Sequence, residues 1–326
     1  MTIGTVGTNF IVDTFIEAAR KAGAGVSASY SRNARTGADF AKKHGIGRVY
    51  SEQDEFLADT SLDFIYVAAP NSLHYRWCLD ALNAEKNVIC EKPFVSNAKE
   101  ARVLVSLAKK KNLFLFEALT VPHLPNFRLI QEKLPALGDI RFVQLNFSQH
   151  SSRYGAFREG KNPNLFNPGF SGGALMDINY YNLSFITLLF GSPLDIRYTA
   201  TKAENGIDVS GILVLRYDGF IASAIGAKDS DSRNYVQIQG EKGYIYSQST
   251  ASNLRGGIEL CTKNGEAQYN RQEENALYYE LLDFIADYKA GDASSCDASL
   301  AESIKRAQLM DRARSDAGIV FPADLV

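Results

Sequence analysis

Short apolar runs alternate with amphipathic stretches through the first 120 residues of the chain. The run from Phe64 to Val67 is apolar or aromatic throughout, which is typical of a strand buried on both faces of a sheet. Between such runs, apolar residues recur at helical spacing, as at Phe15, Ile16 and Ala19. This alternation predicts parallel βαβ units and therefore an α/β fold with a doubly wound Rossmann sheet. Strands are predicted at 3–6, 26–30, 63–68, 87–90 and 113–116, and helices at 13–22, 34–44, 73–84 and 98–111.

The pattern changes after Val121, where Pro122 and Pro125 interrupt the alternation. Strand-like runs then follow one another, separated by turn signals such as Asp218-Gly219 and Asn264-Gly265, which favour antiparallel hairpins. We therefore predict two domains, a Rossmann domain at 1–121 and an α+β domain at 122–326. In the second domain, strands are predicted at 140–147, 196–201, 209–217, 220–227, 235–239, 243–247 and 257–261, and helices at 174–190, 273–289 and 298–317.

Composition and charge exclude several classes of protein. The 326 residues carry a net charge of −2 with no basic stripe, so neither nucleic acid nor an anionic membrane is an expected partner. No apolar run approaches the roughly 20 residues that span a bilayer, and no signal peptide is recognised at the N-terminus. The four histidines show no metal-ligand spacing, so no metal site is expected. Four widely spaced cysteines favour reduced thiols and a cytoplasmic location.

The first predicted strand runs into a turn that resembles part of a dinucleotide-binding fingerprint. Gly7 permits a tight bend and a close approach of the backbone to a pyrophosphate at the helix N-terminus. Asn9 stands at the second glycine position and Val12 at the third, so a plain strand–turn–helix explains the segment about as well. Asparagine is also a good helix N-cap. The candidate phosphate-binding residues are Gly7, Thr8, Asn9, Phe10 and Ile11.

The end of the second predicted strand indicates which dinucleotide is bound. NAD sites usually place an acidic residue there to bind the ribose 2′-hydroxyl, but none occurs between Val26 and Arg35. Ser31 and Arg32 instead offer a hydroxyl and a guanidinium fork suited to a 2′-phosphate. These residues favour NADP over NAD; the alternative is that Arg32 is a solvated surface residue.

Three segments in a fixed order carry a resemblance to a known family: Ala69-Pro70-Asn71-Ser72-Leu73-His74, Cys90-Glu91-Lys92-Pro93 and the stretch Gly172–Tyr181. Together they resemble the Gfo/Idh/MocA oxidoreductases over essentially the whole chain. The resemblance implies a second domain with an open, mostly antiparallel sheet that often forms homodimers or homotetramers. It also implies a bound NAD(P) and small-molecule substrates that are usually sugars, polyols or related alcohols and carbonyls.

The resemblance implies roles for matching residues. Lys92 of the Glu-Lys-Pro motif is expected beside the nicotinamide and the reacting oxygen. Asp177 and Tyr181 match an acid followed four residues later by a histidine or tyrosine, and the tyrosine resembles the dihydrodiol dehydrogenase-like branch. Tyr180 could be the functional ring instead of Tyr181. The remaining cofactor-binding candidates are Ala69, Pro70, Asn71, His74 and Glu91, with Lys92 counted among them as well.

The spacing and position of these residues are compatible with that chemistry. Asp177 and Tyr181 are spaced i and i+4 and so share a helix face, while Lys92 lies at the carboxyl end of a predicted parallel strand. We expect Lys92 and Tyr181 to be the proton-transfer pair of an NADP-dependent oxidoreductase, with Asp177 orienting the substrate or the ammonium. The alternative is a non-catalytic NADP-binding sensor, favoured by Asn9. Asn9 and Asn179 replace glycines that are usual in the family, and Asn179 is expected to reshape the pocket.

Overall fold

The computed structural model describes residues 1–325, which form two compact units. The first unit contains Met1–Leu119 and Leu277–Ile304, and the second contains Thr120–Ala276 and the residues from Lys305 onward. The strands are β1 (Thr2–Val6), β2 (Gly25–Tyr30), β3 (Arg48–Tyr50), β4 (Phe64–Val67), β5 (Asn87–Glu91), β6 (Leu115–Ala118), β7 (Ile140–Ser148), β8 (Asp195–Lys202), β9 (Asp208–Arg216), β10 (Ile221–Ala227), β11 (Tyr235–Gly240), β12 (Gly243–Ser247), β13 (Ile258–Thr262) and β14 (Gly265–Tyr269). The helices are α1 (Phe10–Lys21), α2 (Ala34–His44), α3 (Gln53–Leu57), α4 (Asn71–Asn83), α5 (Ala98–Lys111), α6 (Pro125–Lys133), α7 (Tyr154–Arg158), α8 (Tyr180–Phe190), α9 (Ala276–Ala290) and α10 (Ser294–Asp316).

The first unit is built on a six-stranded parallel sheet with the order β3-β2-β1-β4-β5-β6. The strand order reverses between β1 and β4, and open α/β sheets bind ligands at the carboxyl ends of the strands beside such a reversal. The four residues of β4 are fully buried, as their apolar run predicted. The predicted Rossmann fold is confirmed, although the short elements β3 and α3 were not predicted.

Part of the C-terminal region packs on this sheet. The Phe284 ring of α9 stacks on Phe116 of β6 at 4.3 Å between centroids, and Tyr288 meets Phe64 of β4 edge-on at 5.0 Å. Residues 277–304 therefore belong to the first unit, whereas the sequence assigned all of 122–326 to the second domain. The predicted boundary at 121/122 lies close to the division after Leu119.

The second unit is built on an eight-stranded sheet with the order β14-β13-β12-β11-β7-β10-β9-β8. Strands β7 and β10 pair in parallel, and the other pairs are antiparallel. The predicted mostly antiparallel α+β domain is therefore confirmed. One face carries the core residues Val143, Leu145 and Ile238, while Val214 and Ile221 of the opposite face stay exposed.

Three carboxyl groups lie buried in the first unit. Glu91 accepts a hydrogen bond from the Tyr66 hydroxyl, and Glu117 accepts one from Ser303. Glu280 of α9 is 1% exposed, and neither of its carboxyl oxygens has a hydrogen-bond partner. Burial raises the pKa of Glu280 well above its usual range, and the neighbouring charges of Glu91, Glu117 and Asp283 add to this effect. Glu280 is therefore protonated in the folded chain at pH values where an exposed glutamate is ionised.

We predict that Glu280→Gln stabilises the protein increasingly as the pH rises. Above the ordinary glutamate pKa of about 4.3, the unfolded chain releases this proton while the folded chain retains it, so the wild type loses stability with rising pH. The gain should reach about 1.4 kcal/mol for each unit by which folding raises the pKa. Thermal unfolding at pH 5 and pH 8 measures it, with the exposed Glu55→Gln as control. An equal change in Tm at both pH values would contradict the assignment.

Candidate active site

The turn after β1 depends on the missing side chain of Gly7. This glycine has φ +106°, and a Cβ placed on it would lie 2.7 Å from the carbonyl oxygen of Ala68. Its amide donates a hydrogen bond to the carbonyl of Tyr30 at 3.4 Å. The ends of β1 and β4 therefore approach each other closely and leave bare backbone at the turn, as a dinucleotide-binding loop requires.

Asn9 fastens this turn to its surroundings. Its Oδ1 accepts hydrogen bonds from the amides of Ile11 (3.1 Å) and Val12 (3.4 Å), which confirms its role as the N-cap of α1. Its Nδ2, which the sequence suggested for phosphate, donates to the carbonyl of Ala68 at 3.0 Å. Phe10 begins the helix and is 74% exposed.

Ser31 and Arg32 follow β2 at the start of α2. The Ser31 hydroxyl donates a hydrogen bond to the carbonyl of Asn33 at 3.0 Å, and Asn33 caps α2 by accepting from the amide of Thr36. The side chain of Arg32 is exposed. The carboxyl end of β2 therefore presents a hydroxyl and a guanidinium beside a helix N-terminus.

His74 of α4 joins the loops that follow β4 and β5. Its Nε2 lies 2.9 Å from the carbonyl oxygen of Ala69 and its Nδ1 lies 2.9 Å from that of Pro93. Burial lowers the pKa of His74 and opposes the charged form that would donate to both carbonyls. The ring thus lies between the loop carrying Ala69, Pro70 and Asn71 and the loop carrying Lys92, and in its neutral form it donates to one of the two carbonyls.

Lys92 directly follows β5 and is half-buried, while Glu91 is buried beneath it. The Tyr66 hydroxyl donates to Glu91 at 2.6 Å, and Tyr66 itself stacks on Phe15 of α1. Burial raises the pKa of Glu91, although the Tyr66 hydrogen bond and the Lys92 charge oppose that shift. The Lys92–Pro93 peptide bond is cis.

In the second unit, the helix predicted at 174–190 is present, but its first part is not α-helical. Residues Leu175–Asn179 form a π-helical turn, and α8 then begins at Tyr180. Such turns are rare and recur at functional sites. Asp208 of β9 holds the start of the turn, accepting hydrogen bonds from the Leu175 amide (2.6 Å) and the Tyr198 hydroxyl (2.7 Å). A Cβ on Gly173 would lie 2.0 Å from Asp208 Oδ1, so this approach requires a glycine.

Asp177 lies in the π-helical turn and pairs with a residue that the sequence did not indicate. Lys228, which follows β10, places its Nζ 2.5 Å from Asp177 Oδ2 and is 6% exposed. In the sequence, Lys228 is recognisable as a lysine directly after an apolar strand. Nothing in that pattern indicates its partner 51 residues away. Asp177 therefore contacts the ammonium of Lys228 within this unit, and its expected part in orienting the substrate or the Lys92 ammonium stays a prediction.

The two adjacent tyrosines have different surroundings. Tyr180 is 3% exposed, and its hydroxyl accepts a hydrogen bond from Arg306 Nε at 3.1 Å. Tyr181 is half-buried, with its ring 6.3 Å from that of Phe147 on β7. Tyr181 therefore has the accessible ring, while Tyr180 belongs to the core of the unit.

Asn179 is fully buried and joins the π-helical turn to β10. Its Nδ2 donates to the carbonyl of Ala224 at 3.1 Å, and Asn182 donates to that of Ile225 at 3.0 Å. A Cβ on Gly226 would lie 2.9 Å from the Asn179 Cβ, so that glycine makes room for the asparagine. Asn179 thus supports the π-helical turn, and its expected effect on the pocket stays a prediction.

Each unit gathers its own candidate residues. The carboxyl ends of β1, β2, β4 and β5 carry the dinucleotide candidates, and the π-helical turn with α8 carries Asp177 and Tyr181. Within residues 1–325, no cluster of three or more histidines, cysteines, aspartates or glutamates is arranged to hold a metal ion. Over the same residues, no helix combines the length and apolar character needed to cross a membrane.

Comparison with known proteins identifies the family. The description "Oxidoreductase family, NAD-binding Rossmann fold" matches residues 1–119, and "GFO/IDH/MocA C-terminal domain" matches residues 128–246. The chain belongs to the Gfo/Idh/MocA family. This membership confirms the resemblance seen in the sequence and makes the chain an NAD(P)-dependent oxidoreductase.

Several Gfo/Idh/MocA proteins align over nearly the whole chain. The scyllo-inositol 2-dehydrogenase (NADP(+)) IolU of Bacillus subtilis is 35% identical, covering 98% of both chains. A trans-1,2-dihydrobenzene-1,2-diol dehydrogenase of Danio rerio is 29% identical, covering 88% of this chain and 86% of the relative. A 3-ketoreductase from Actinomadura kijaniata, solved with NADP and TDP-benzene, superposes with a TM-score of 0.87 at 21% identity and covers 97% of both chains. That likeness supports the fold.

Proposed function

We propose that this protein is an NADP-dependent dehydrogenase or reductase that acts on a CH–OH or C=O carbon of a sugar, polyol, diol or related carbonyl compound. The observation that carries the proposal is the position of Lys92. It directly follows β5, the neighbour of β4 at the reversal of strand order, and His74 holds its loop. Two relatives support this substrate class: one is named as an NADP-dependent inositol dehydrogenase, and the other as a dihydrodiol dehydrogenase.

The residues present fit a dinucleotide. Gly7 leaves the backbone bare where a Cβ would collide with Ala68, and α1 begins directly behind the turn. We assign the pyrophosphate to the turn formed by Gly7, Thr8, Asn9, Phe10 and Ile11, and the 2′-phosphate to Ser31 and Arg32. The loops after β4 and β5 would hold the nicotinamide half, through Ala69, Pro70, Asn71, His74, Glu91 and Lys92.

The proton chemistry falls to Lys92 and Tyr181. When bound, the nicotinamide supplies a hydride to a carbonyl carbon or accepts one from a carbinol carbon. In reduction, Lys92 and Tyr181 deliver a proton to the substrate oxygen as the C=O bond becomes a C–O bond, and solvent restores it. In oxidation they withdraw that proton. Asp177, ionised beside Lys228, accepts hydrogen bonds from substrate hydroxyls and so orients the reacting carbon.

A non-catalytic NADP sensor is the second candidate function. Asn9 favours it, because a side chain occupies a position where the family usually has glycine and is engaged with Ala68 and the helix amides. Turnover distinguishes the two candidates. Assembly into a homodimer or homotetramer and a cytoplasmic location stay predictions.

The first prediction concerns turnover. With a panel of sugars, polyols, diols and carbonyls, the wild type should change NADPH absorbance, and Lys92→Met should lower kcat by about 10²- to 10⁴-fold, as expected when a proton-transfer group is lost. Tyr181→Phe should also lower kcat. Tyr180→Phe, which changes the neighbouring tyrosine in the core, should retain near-wild-type kcat. NADP affinity and Tm serve as controls. Near-wild-type turnover of Lys92→Met, or a larger loss in Tyr180→Phe than in Tyr181→Phe, would contradict these roles.

The second prediction concerns cofactor choice. Arg32→Ala should weaken NADP binding about tenfold or more and leave NAD binding unchanged, because only NADP carries the phosphate that the guanidinium would bind. Fluorescence titration with both dinucleotides measures the ratio. Arg102→Ala, which removes an exposed arginine of α5, is the control. A wild type that prefers NAD, or an unchanged ratio in Arg32→Ala, would show that Ser31 and Arg32 do not bind a phosphate.

A further inference from the structure

We propose that Lys228 is a positioning residue of the active site, which holds the Asp177 carboxylate ionised and aimed at the substrate. This inference rests on the proposed function, because Asp177 is taken to contact substrate hydroxyls. Lys228 acts through Asp177 and needs no contact with substrate or cofactor.

The two charged side chains differ in how far solvent reaches them. The Lys228 side chain is 8% exposed and that of Asp177 is 26% exposed, so the carboxylate is the member of the pair that solvent reaches. An unpaired ammonium at this depth would be strongly unfavourable, and pairing with a carboxylate offsets that cost. The direction of the pair is thus set, with the cation inside and the anion outside.

The backbone on both sides of the pair is fixed. The Lys228 amide donates to the carbonyl of Val209 on β9 at 2.8 Å, and its own carbonyl accepts from the Ser151 amide at 2.8 Å. On the opposite side, Asn179 ties the π-helical turn to β10, and Asn182 ties the start of α8 to the same strand. Because neither backbone can shift independently, the ammonium sets the position of the carboxylate closely.

The segments hydrogen-bonded to the backbone around the pair carry other ionisable residues. Asp208 of β9 caps the π-helical turn and is bonded by Tyr198 of β8, and Asp229 follows Lys228 in the chain. His150 lies just beyond β7, and its amide donates to Asp231. At its contact distance from Asp177, the Lys228 ammonium favours the ionised carboxylate, because an opposite charge nearby favours the charged form.

Ionisation of Asp177 decides which hydrogen bonds it can make. An ionised carboxylate only accepts, whereas a protonated one also donates. Without Lys228, Asp177 would stay protonated to higher pH, and its carboxyl group would no longer be oriented towards substrate hydroxyls. A change at Lys228 should therefore alter substrate recognition and its pH dependence, and leave cofactor binding unaltered.

The test compares Lys228→Met, Asp177→Asn and the double variant on the panel substrate that the wild type converts fastest. Lys228→Met should lower kcat/KM about ten- to a hundredfold, mainly through KM, as when a charged hydrogen bond is lost. The acidic limb of its kcat/KM profile should move up by about one pH unit or more. NADP affinity should not change. In the Asp177→Asn background, Lys228→Met should cost almost nothing further, because its effect passes through the missing carboxylate.

Lys86→Met is the matched control, since Lys86 is equally buried but donates to the carbonyls of Asp59 and Leu62 in the first unit. It should lower Tm without moving the pH profile. If Lys228→Met alone does not fold, the test uses the double variant, which removes both charges together. Its kcat/KM is compared with that of Asp177→Asn. Equal kcat/KM in those two supports the proposal, and a further large drop overturns it.

The possible results distinguish the role of Lys228 from the proposed oxidoreductase function on which it rests. Wild-type turnover with an unshifted pH profile and unchanged KM in Lys228→Met overturns the role of Lys228 and leaves the proposed function standing. A wild type that converts no member of the panel overturns the proposed function, and the role of Lys228 with it.

Discussion

The close approach of Gly7 to the carbonyl of Ala68 is the constraint on which the proposed dinucleotide site depends. It brings the ends of β1 and β4 together where the strand order reverses, and only a residue without a Cβ permits it. Asn9 then uses its side chain to fix the same carbonyl and to cap α1. The incomplete glycine fingerprint therefore retains the one glycine that the backbone needs, and a capping residue takes the place of the second.

Supporting residues in each unit hold a charged group in a defined place. In the first unit, His74 bridges the loops after β4 and β5 and so fixes the loop that carries Lys92. In the second, Asp208 and Asn179 hold the π-helical turn that carries Asp177. These supports are buried and hydrogen-bonded, so the fold itself holds the candidate side chains in place.

The sequence predicted the Rossmann sheet well because its strands are continuous apolar runs between amphipathic helices. It could not predict that α9 packs on that sheet, because periodicity shows which helix face is buried but not what covers it. The π-helical turn was also missed, since one extra residue within a helical pattern leaves the apolar period almost unchanged. The candidate residues were found through local motifs, whereas the pairing of Lys228 with Asp177 joins residues far apart in the chain and becomes visible only in the folded unit.

The most direct test of the account follows the transferred hydrogen. NADPH carrying deuterium at the transferring position would be incubated with the wild-type protein and a carbonyl substrate, and the product analysed by mass spectrometry. We expect one deuterium on the reduced carbon of each product molecule, with the new hydroxyl proton coming from solvent. NADPH consumption without deuterium in any product, or no consumption across the carbonyl panel, would contradict it.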